Sequence, residues 1–410
     1  MSRGNASTQH PGDRPAPLAA VLGVTFLGSI TGGVFWAGIY FLTREHYRFS
    51  PERNLALALA MGAIYAVSAW GAGRIFAVLG GQRGPRRVVA GVFAVWGAAA
   101  LVPVVFPNSE VALWVAALAG AVTSGLVWPV VESYLGGGRH GEKLRSALGW
   151  FNVTWTSATA LPLLILPLLE RIHPLAAFAL CAVANAGAIL ALQALPLRPG
   201  AAEPEHSNAA IGREYPFLLD ATRWLLPLSY LLSSTLAPVL PYRLSALGAG
   251  AVPESVIAAT WMLARFLTLG FMARVHVWHG RWAALFLGGA SLAGGVALAL
   301  LAPNLPLAVL GLFLFGVGMG VTYFSSIYYS LAVGHGAVDA GGGFEALIGL
   351  GYVLGPLVGL GARSLSLGSN QALATAGCAS FVALLGGAFS LRPYFAARAG
   401  RRLRRAHQRT

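Results

Sequence analysis

Charge is scarce in this sequence. Only 10% of its 410 residues are Asp, Glu, Lys or Arg, where soluble domains carry roughly 25%. A water-solvated globular enzyme is therefore excluded as a reading of the whole chain. Lysine occurs once, at Lys143, beside 27 arginines, a bias that points to a GC-rich bacterial genome. A G-x-x-x-x-G-K-[ST] phosphate loop needs a lysine after its second glycine, and Lys143 does not sit in one, so ATP-driven work by this chain alone is excluded. The two cysteines, Cys181 and Cys378, both fall inside apolar runs. Neither has metal-ligand spacing, and neither sits in a loop where an oxidising compartment would pair it. H-E-x-x-H, Cys-x-x-Cys and Gly-x-Ser-x-Gly are all missing. No cofactor, metal or catalytic site is expected, and the chain is not expected to be an enzyme.

What the sequence has instead is hydrophobic length. The composition is 56% hydrophobic, and runs of about 20 apolar residues, enough to cross a bilayer core, recur throughout. Spans are expected at 18–42, 55–78, 88–106, 111–135, 147–169, 174–195, 224–242, 253–273, 283–302, 305–333, 344–362 and 371–391. The first is too long for a signal-peptide core and is read as retained. If both termini are cytoplasmic, 20 basic residues lie in inside segments and 6 in outside ones, so the positive-inside rule places both termini in the cytoplasm of a bacterial inner membrane. The net charge of +14 is not a nucleic-acid signature, because residues 392–410 alone hold seven arginines and no acid. A basic tail just cytoplasmic of a membrane helix is drawn to anionic lipid headgroups.

The longest polar stretch between spans divides the chain. The expected organisation is a cytoplasmic tail at 1–17, a six-helix bundle at 18–195, a cytoplasmic linker at 196–223, a second six-helix bundle at 224–391 and the basic tail at 392–410. The halves echo one another. Trp128-Pro129-Val130-Val131-Glu132-Ser133-Tyr134-Leu135 and Phe324-Ser325-Ser326-Ile327-Tyr328-Tyr329-Ser330-Leu331 share aromatic and hydroxyl character at an offset of 196, and the cysteines lie 197 apart. Parallel repeats of this kind build transporters whose site lies between the halves near the midplane.

Between the second and third spans the chain reads Leu79-Gly80-Gly81-Gln82-Arg83-Gly84-Pro85-Arg86-Arg87-Val88. This resembles the loop 2–3 signature of the major facilitator superfamily, a glycine-rich turn carrying Asp-Arg-x-Gly-Arg-Arg/Lys. Gly84 and Arg86 fall on family positions, while Gly81 and Gln82 replace the Asp and the following Arg. In that family the Asp latches the cytoplasmic side against helix 11, so this chain lacks that part of the latch. A second stretch, Gly351-x-x-x-Gly355-Pro356-x-x-Gly359-x-Gly361, looks like the family's antiporter motif, but in helix 11 rather than helix 5. The resemblance implies an all-α membrane protein of twelve transmembrane helices in two pseudo-symmetric six-helix bundles, rocking by alternating access.

Charges inside spans are costly, about 2.5–3.5 kcal/mol each at a helix centre, and each needs a reason. Arg265 lies eleven residues from Glu254, near the midplane at about 1.5 Å per residue. It is either a fixed charge facing a cavity or a structural knot to other helices. Glu132 follows Trp128 by one turn and Ser124 by two, so all three share a face. It either binds a solute or the coupling proton, or caps the helix and meets Lys143 or Arg145. Arg74 and Glu345 lie near the cytoplasmic ends of helices 2 and 11. They are expected to pair across the bundles and, with Gly84 and Arg86, to gate the inner side, the alternative for Glu345 being its own helix dipole. Trp36 and Tyr40 on helix 1, Asn152 on helix 5, Tyr230 on helix 7, and Tyr323 and Ser326 on helix 10 complete the expected substrate and coupling set.

Together these features predict a secondary transporter of a small organic solute, coupled to a proton through Glu132 or Glu345. The competing reading is a transporter-shaped sensor or assembly factor without transport, which predicts a collapsed or greasy centre.

Overall fold

The computed structural model describes residues 15–139, 141–200, 212–249, 253–333, 339–365 and 371–398. All regular structure among them is helical. Twelve long helices follow in order: α1 (Leu18–Glu45), α2 (Pro51–Arg83), α3 (Pro85–Val105), α4 (Glu110–Gly136), α5 (Gly141–Ile172) and α6 (Ala176–Leu192), then α7 (Tyr215–Ala246), α8 (Glu254–Arg274), α9 (Trp282–Leu301), α10 (Leu305–Val333), α11 (Asp339–Leu365) and α12 (Gln371–Ser390). Eleven are long and apolar enough to cross a membrane, and α6, at 17 residues, meets the lower limit of length. The helices form two six-helix bundles, α1–α6 and α7–α12, joined mainly by α2 against α11 and α5 against α8.

Several helices start earlier or end later than their apolar runs. α7 begins at Tyr215, inside the expected linker. Its first turns bury Leu218, Leu219, Ala221 and Thr222 while Asp220 and Arg223 pair in solvent, so an amphipathic entry carries little hydropathy signal. The apolar twelfth helix likewise continues to Arg398. Most of the linker (201–211), the N-terminal tail to residue 14 and the basic tail from 399 lie outside the described residues, as do the side chains of Gly80, Gly81, Gln82 and Arg83.

Glycine sets how closely the helices approach. On α11, Gly351 and Gly355 face α7, where an added Cβ at Gly355 would stand 2.1 Å from Ser234 Oγ and 2.3 Å from the Leu231 carbonyl oxygen. Ser234 and Thr235 use that closeness to donate to the carbonyls of Gly351 and Gly355, at 3.0 and 2.8 Å. Gly359 meets Leu55 of α2 instead. The stretch that resembles the antiporter motif therefore serves as a groove that seats α7, with Gly359 turned to the other bundle.

At the end of the molecule away from the chain termini, the two bundles are tied together. Arg44, at the end of α1, reaches Glu254 at 2.6 Å, the Pro241 carbonyl at 2.9 Å and Ser245 Oγ at 2.6 Å. Arg363 of α11 binds Glu52 of α2 at 2.5 Å. Tyr242 donates to the Phe49 carbonyl at 2.6 Å and accepts from Asn54 at 3.1 Å. Exposed ion pairs contribute about 0–1 kcal/mol, but Arg44 is only 20% exposed and makes three cross-bundle contacts. Reversing Glu254 to Arg is expected to open this end. With Cys181 and Cys378 replaced by alanine and spin labels at Asn108 and Ala246, electron–electron distance measurements should show a longer population for Glu254→Arg. The double exchange Arg44→Glu with Glu254→Arg should return the short distance, and no recovery would mean the ion pair does not hold the end shut.

Candidate functional site

Between the bundles lies a cavity of about 1120 Å³ of atom-free space, its open mouth included. α1 supplies Ser29, Gly33, Trp36 and Tyr40. Residues Val34–Gly38 form one turn of π-helix, a local widening that inserts a residue and re-aims side chains, often at functional sites. Just before it, Gly33 lets α1 press on α5, where a Cβ would stand 2.5 Å from the Thr159 carbonyl oxygen. Trp36 stacks on Tyr352 of α11, with ring centroids 4.3 Å apart and planes at 15°. Tyr65 of α2 meets both rings edge-on, at 5.3 and 5.4 Å. An aromatic cluster thus bridges the bundles.

Arg265 sits at the middle of α8, 5% exposed. Its guanidinium carbon is 4.5 Å from the Trp155 ring centroid, 4.9 Å from that of Tyr323 and 5.4 Å from that of Tyr230. It donates to the Tyr230 hydroxyl at 2.9 Å, and its Nε is buried without a partner among the described residues. Such guanidinium–ring contacts contribute about 2 kcal/mol each when desolvated. No carboxylate lies within ion-pair distance of it among the described residues. The charge is held by ring faces rather than by an acid.

The two acids of the cavity differ. Glu345, 5% exposed, accepts a short hydrogen bond from the Tyr65 hydroxyl across the bundle boundary. Glu132 lines the same cavity one turn after Trp128 and lies within electrostatic range of Glu345. No donor or cation among the described residues reaches its carboxylate. Neither Lys143 nor Arg145 pairs with it.

The cavity collects Glu132, Arg265, Trp128, Trp36, Tyr40, Tyr230, Tyr323 and Glu345 from the sequence-predicted set. Asn152 and Ser326 are buried beside it and do not line it. Asn152 accepts from Trp155 Nε1 at 3.0 Å, and so orients the ring that lies under Arg265. The expected Arg74–Glu345 pair is corrected by the structure. Arg74 is exposed, its guanidinium 5.7 Å from the Trp70 ring, and Glu345 is taken by Tyr65. Tyr65 and Arg74 are nine residues apart, which at about 100° per residue puts them on opposite faces of α2, so only one can meet α11. The gating assignment of Gly84 and Arg86 also meets a different geometry. Gly84 adopts φ 78°, and Arg86 donates to the Leu195 carbonyl at 2.7 Å, fastening the exit of α6 within its own bundle. Tyr65, Trp155 and Tyr352 were missed. Tyr352 was findable, since it follows Glu345 by seven residues, two turns along one face.

A second polar cluster lies outside the spans, between α8 and α9. His279 stacks on Tyr328 and shares a 3.1 Å hydrogen bond with it. Burial, His276 and Arg145 push its imidazole down to about 4, so it stays neutral near pH 7.

No protein family matches the sequence, and no curated protein matches it either. Solved structures do match the fold. The human organic anion transporter MFSD10 is 18% identical over 93% of this chain and 100% of its own, with a TM-score of 0.62. An auto-inhibited peptide transporter of the POT family is 14% identical over 92% and 96%, with a TM-score of 0.69. A bacterial homologue of the human lysosomal transporter Spinster, in an inward-facing and unoccupied conformation, is 13% identical over 93% and 96%, at 0.61. At these identities the likeness is one of fold. The chain has the major facilitator fold, a multi-pass membrane architecture shared with these transporters.

Proposed function

We propose that this protein is a secondary active transporter that carries a small organic solute by alternating access, coupled to proton movement through Glu132 or Glu345. The observation that carries this reading is Glu132, a carboxylate that no donor or cation among the described residues reaches, in a cavity between two bundles. A bare carboxylate within a membrane span is costly, so a proton and a cationic solute are its two fitting occupants. With both termini cytoplasmic and the basic tail on anionic lipid, the tied end faces outward. The rival reading, a sensor without transport, calls for a filled or greasy centre, against which stand two acids and a base.

The test is solute-driven proton movement in proteoliposomes, screened over cationic, neutral and anionic solutes. A pH change seen with the wild type and lost in Glu132→Gln, with the variant still folded, is the expected result. Silence across the panel from folded protein would sink the transport reading.

A further inference from the structure

We propose that the solute is a flat aromatic monocation whose charge is received by Glu132, and that it exchanges for one proton on that carboxylate. The proposal rests on the transport reading above and narrows it to a substrate class.

The argument begins with which charges already have partners. Arg265 is enclosed by three ring faces and bonded to Tyr230. An incoming anion would compete with rings that already compensate this charge, and its Nε is out of reach. Glu345 has the Tyr65 hydroxyl. Glu132 alone among the three has no partner among the described residues. With one base set against two acids, the cavity is a single negative charge in excess when both acids are ionised. A proton or an organic cation on Glu132 restores neutrality. Both cannot sit on the same carboxylate, so binding one releases the other, and the exchange conserves charge.

The walls favour the same class. Trp36, Trp128, Trp155, Tyr230, Tyr323 and Tyr352 line the space, and ring faces attract cations while offering contact area to a flat aromatic body. Trp128 precedes Glu132 by one turn on the same face, so a ring and a carboxylate are presented side by side. The titratable and charged groups that share the cavity with Glu132 are Glu345, Arg265, Tyr40, Tyr65 and the other cavity tyrosines just named. Among these side-chain types a carboxylate is the one that ordinarily gives up a proton below neutral pH, so the proton released on binding comes from a carboxylate.

Three probes of one shape separate the possibilities: 1-methylquinolinium, 2-naphthylmethanol and 2-naphthoate. Binding to the purified full-length protein is followed by tryptophan quenching, and proton release by a pH indicator in weak buffer. 1-Methylquinolinium is expected to bind best, to release about one proton per molecule, and to bind about tenfold tighter per pH unit while the carboxylate is still protonated. Glu132→Gln is expected to weaken it at least tenfold and abolish proton release, and Glu132→Asp to restore both in part. Preference for 2-naphthoate, lost in Arg265→Leu, would overturn the proposal yet leave transport standing. Proton release lost in Glu345→Gln and kept in Glu132→Gln would also overturn it. Quinolinium binding with proton release, but no movement of the probe in proteoliposomes, would uphold the site and reject the transport reading.

Discussion

Adding one methyl group at Gly355 is expected to cost the protein a large part of its folding margin. The Cβ of Gly355→Ala would lie 2.1 Å from Ser234 Oγ and 2.3 Å from the Leu231 carbonyl oxygen. The serine can turn away, but the carbonyl belongs to the backbone of α7, so the two helices must separate by roughly 1 Å. Over-packing of that kind costs about 1–3 kcal/mol. Separation also stretches the bonds from Ser234 and Thr235 to α11, each contributing about 0.6 kcal/mol in membrane bundles. The sum, about 2–4 kcal/mol, is a large part of the margin by which proteins stay folded. Thermal unfolding in detergent should show Gly355→Ala melting on the order of 10 °C lower, using about 2–4 °C per kcal/mol, or failing to purify as a monodisperse species. Gly361→Ala, two turns away with nothing within 4 Å of the added carbon, is the control. It should be neutral or slightly stabilising, since alanine is the better helix former. Equal melting of the two variants would refute the close seat of α7 in the α11 groove.

Removing the charge at Arg265 is expected to lower transport at least a hundredfold with little loss of folded protein. Arg265→Leu forfeits three ring contacts and the Tyr230 bond, but leucine fills the space with apolar atoms, which often makes up for a lost buried charge. What it cannot supply is the one positive charge that shares the cavity with Glu132 and Glu345. Without it the cavity holds two acids and no base, and an exchange that places a bare carboxylate there stalls. A hundredfold slowing corresponds to about 2.7 kcal/mol, within the range of a desolvated charge interaction. Arg265→Lys should recover only part of the rate, because an ammonium cannot lie flat against several rings while holding a phenol. The measurement is initial uptake rate in proteoliposomes beside the melting temperature of each variant. If Arg265→Leu transports normally, the guanidinium is a packing device and the charge balance argued here is wrong.

Much of this architecture could be read from residues alone, for a physical reason. Lipid demands that each crossing segment be long and apolar, so the twelve helices announced themselves. Arg265 and Glu132 stood out because a charge in such a segment is expensive, and both line the cavity. Helical spacing also brought Trp36 and Tyr40 onto the cavity face. The Arg74–Glu345 pair failed because depth in the membrane was weighed and azimuth was not, and the nine-residue step from Tyr65 to Arg74 turns them to opposite sides. The Arg44–Glu254 tie was invisible because both residues lie at helix ends, where charge is ordinary and gives no signal. Nor could any pattern of glycines say which neighbour each one admits. Gly355 and Gly359 are one turn apart yet face different helices.

The widened turn at Val34–Gly38 makes the phase of α1 depend on a single residue. Everything beyond it, from Tyr40 to Arg44, is rotated by the extra winding relative to the part that packs on α5. Excising one residue there would let the helix close up and swing its last two turns by about 100°. Tyr40 would then leave the cavity wall and Arg44 would leave Glu254, although neither had been altered. The tie between the bundles and the chamber are thus set by one screw thread, and its pitch at this point is as much a part of the machinery as any side chain.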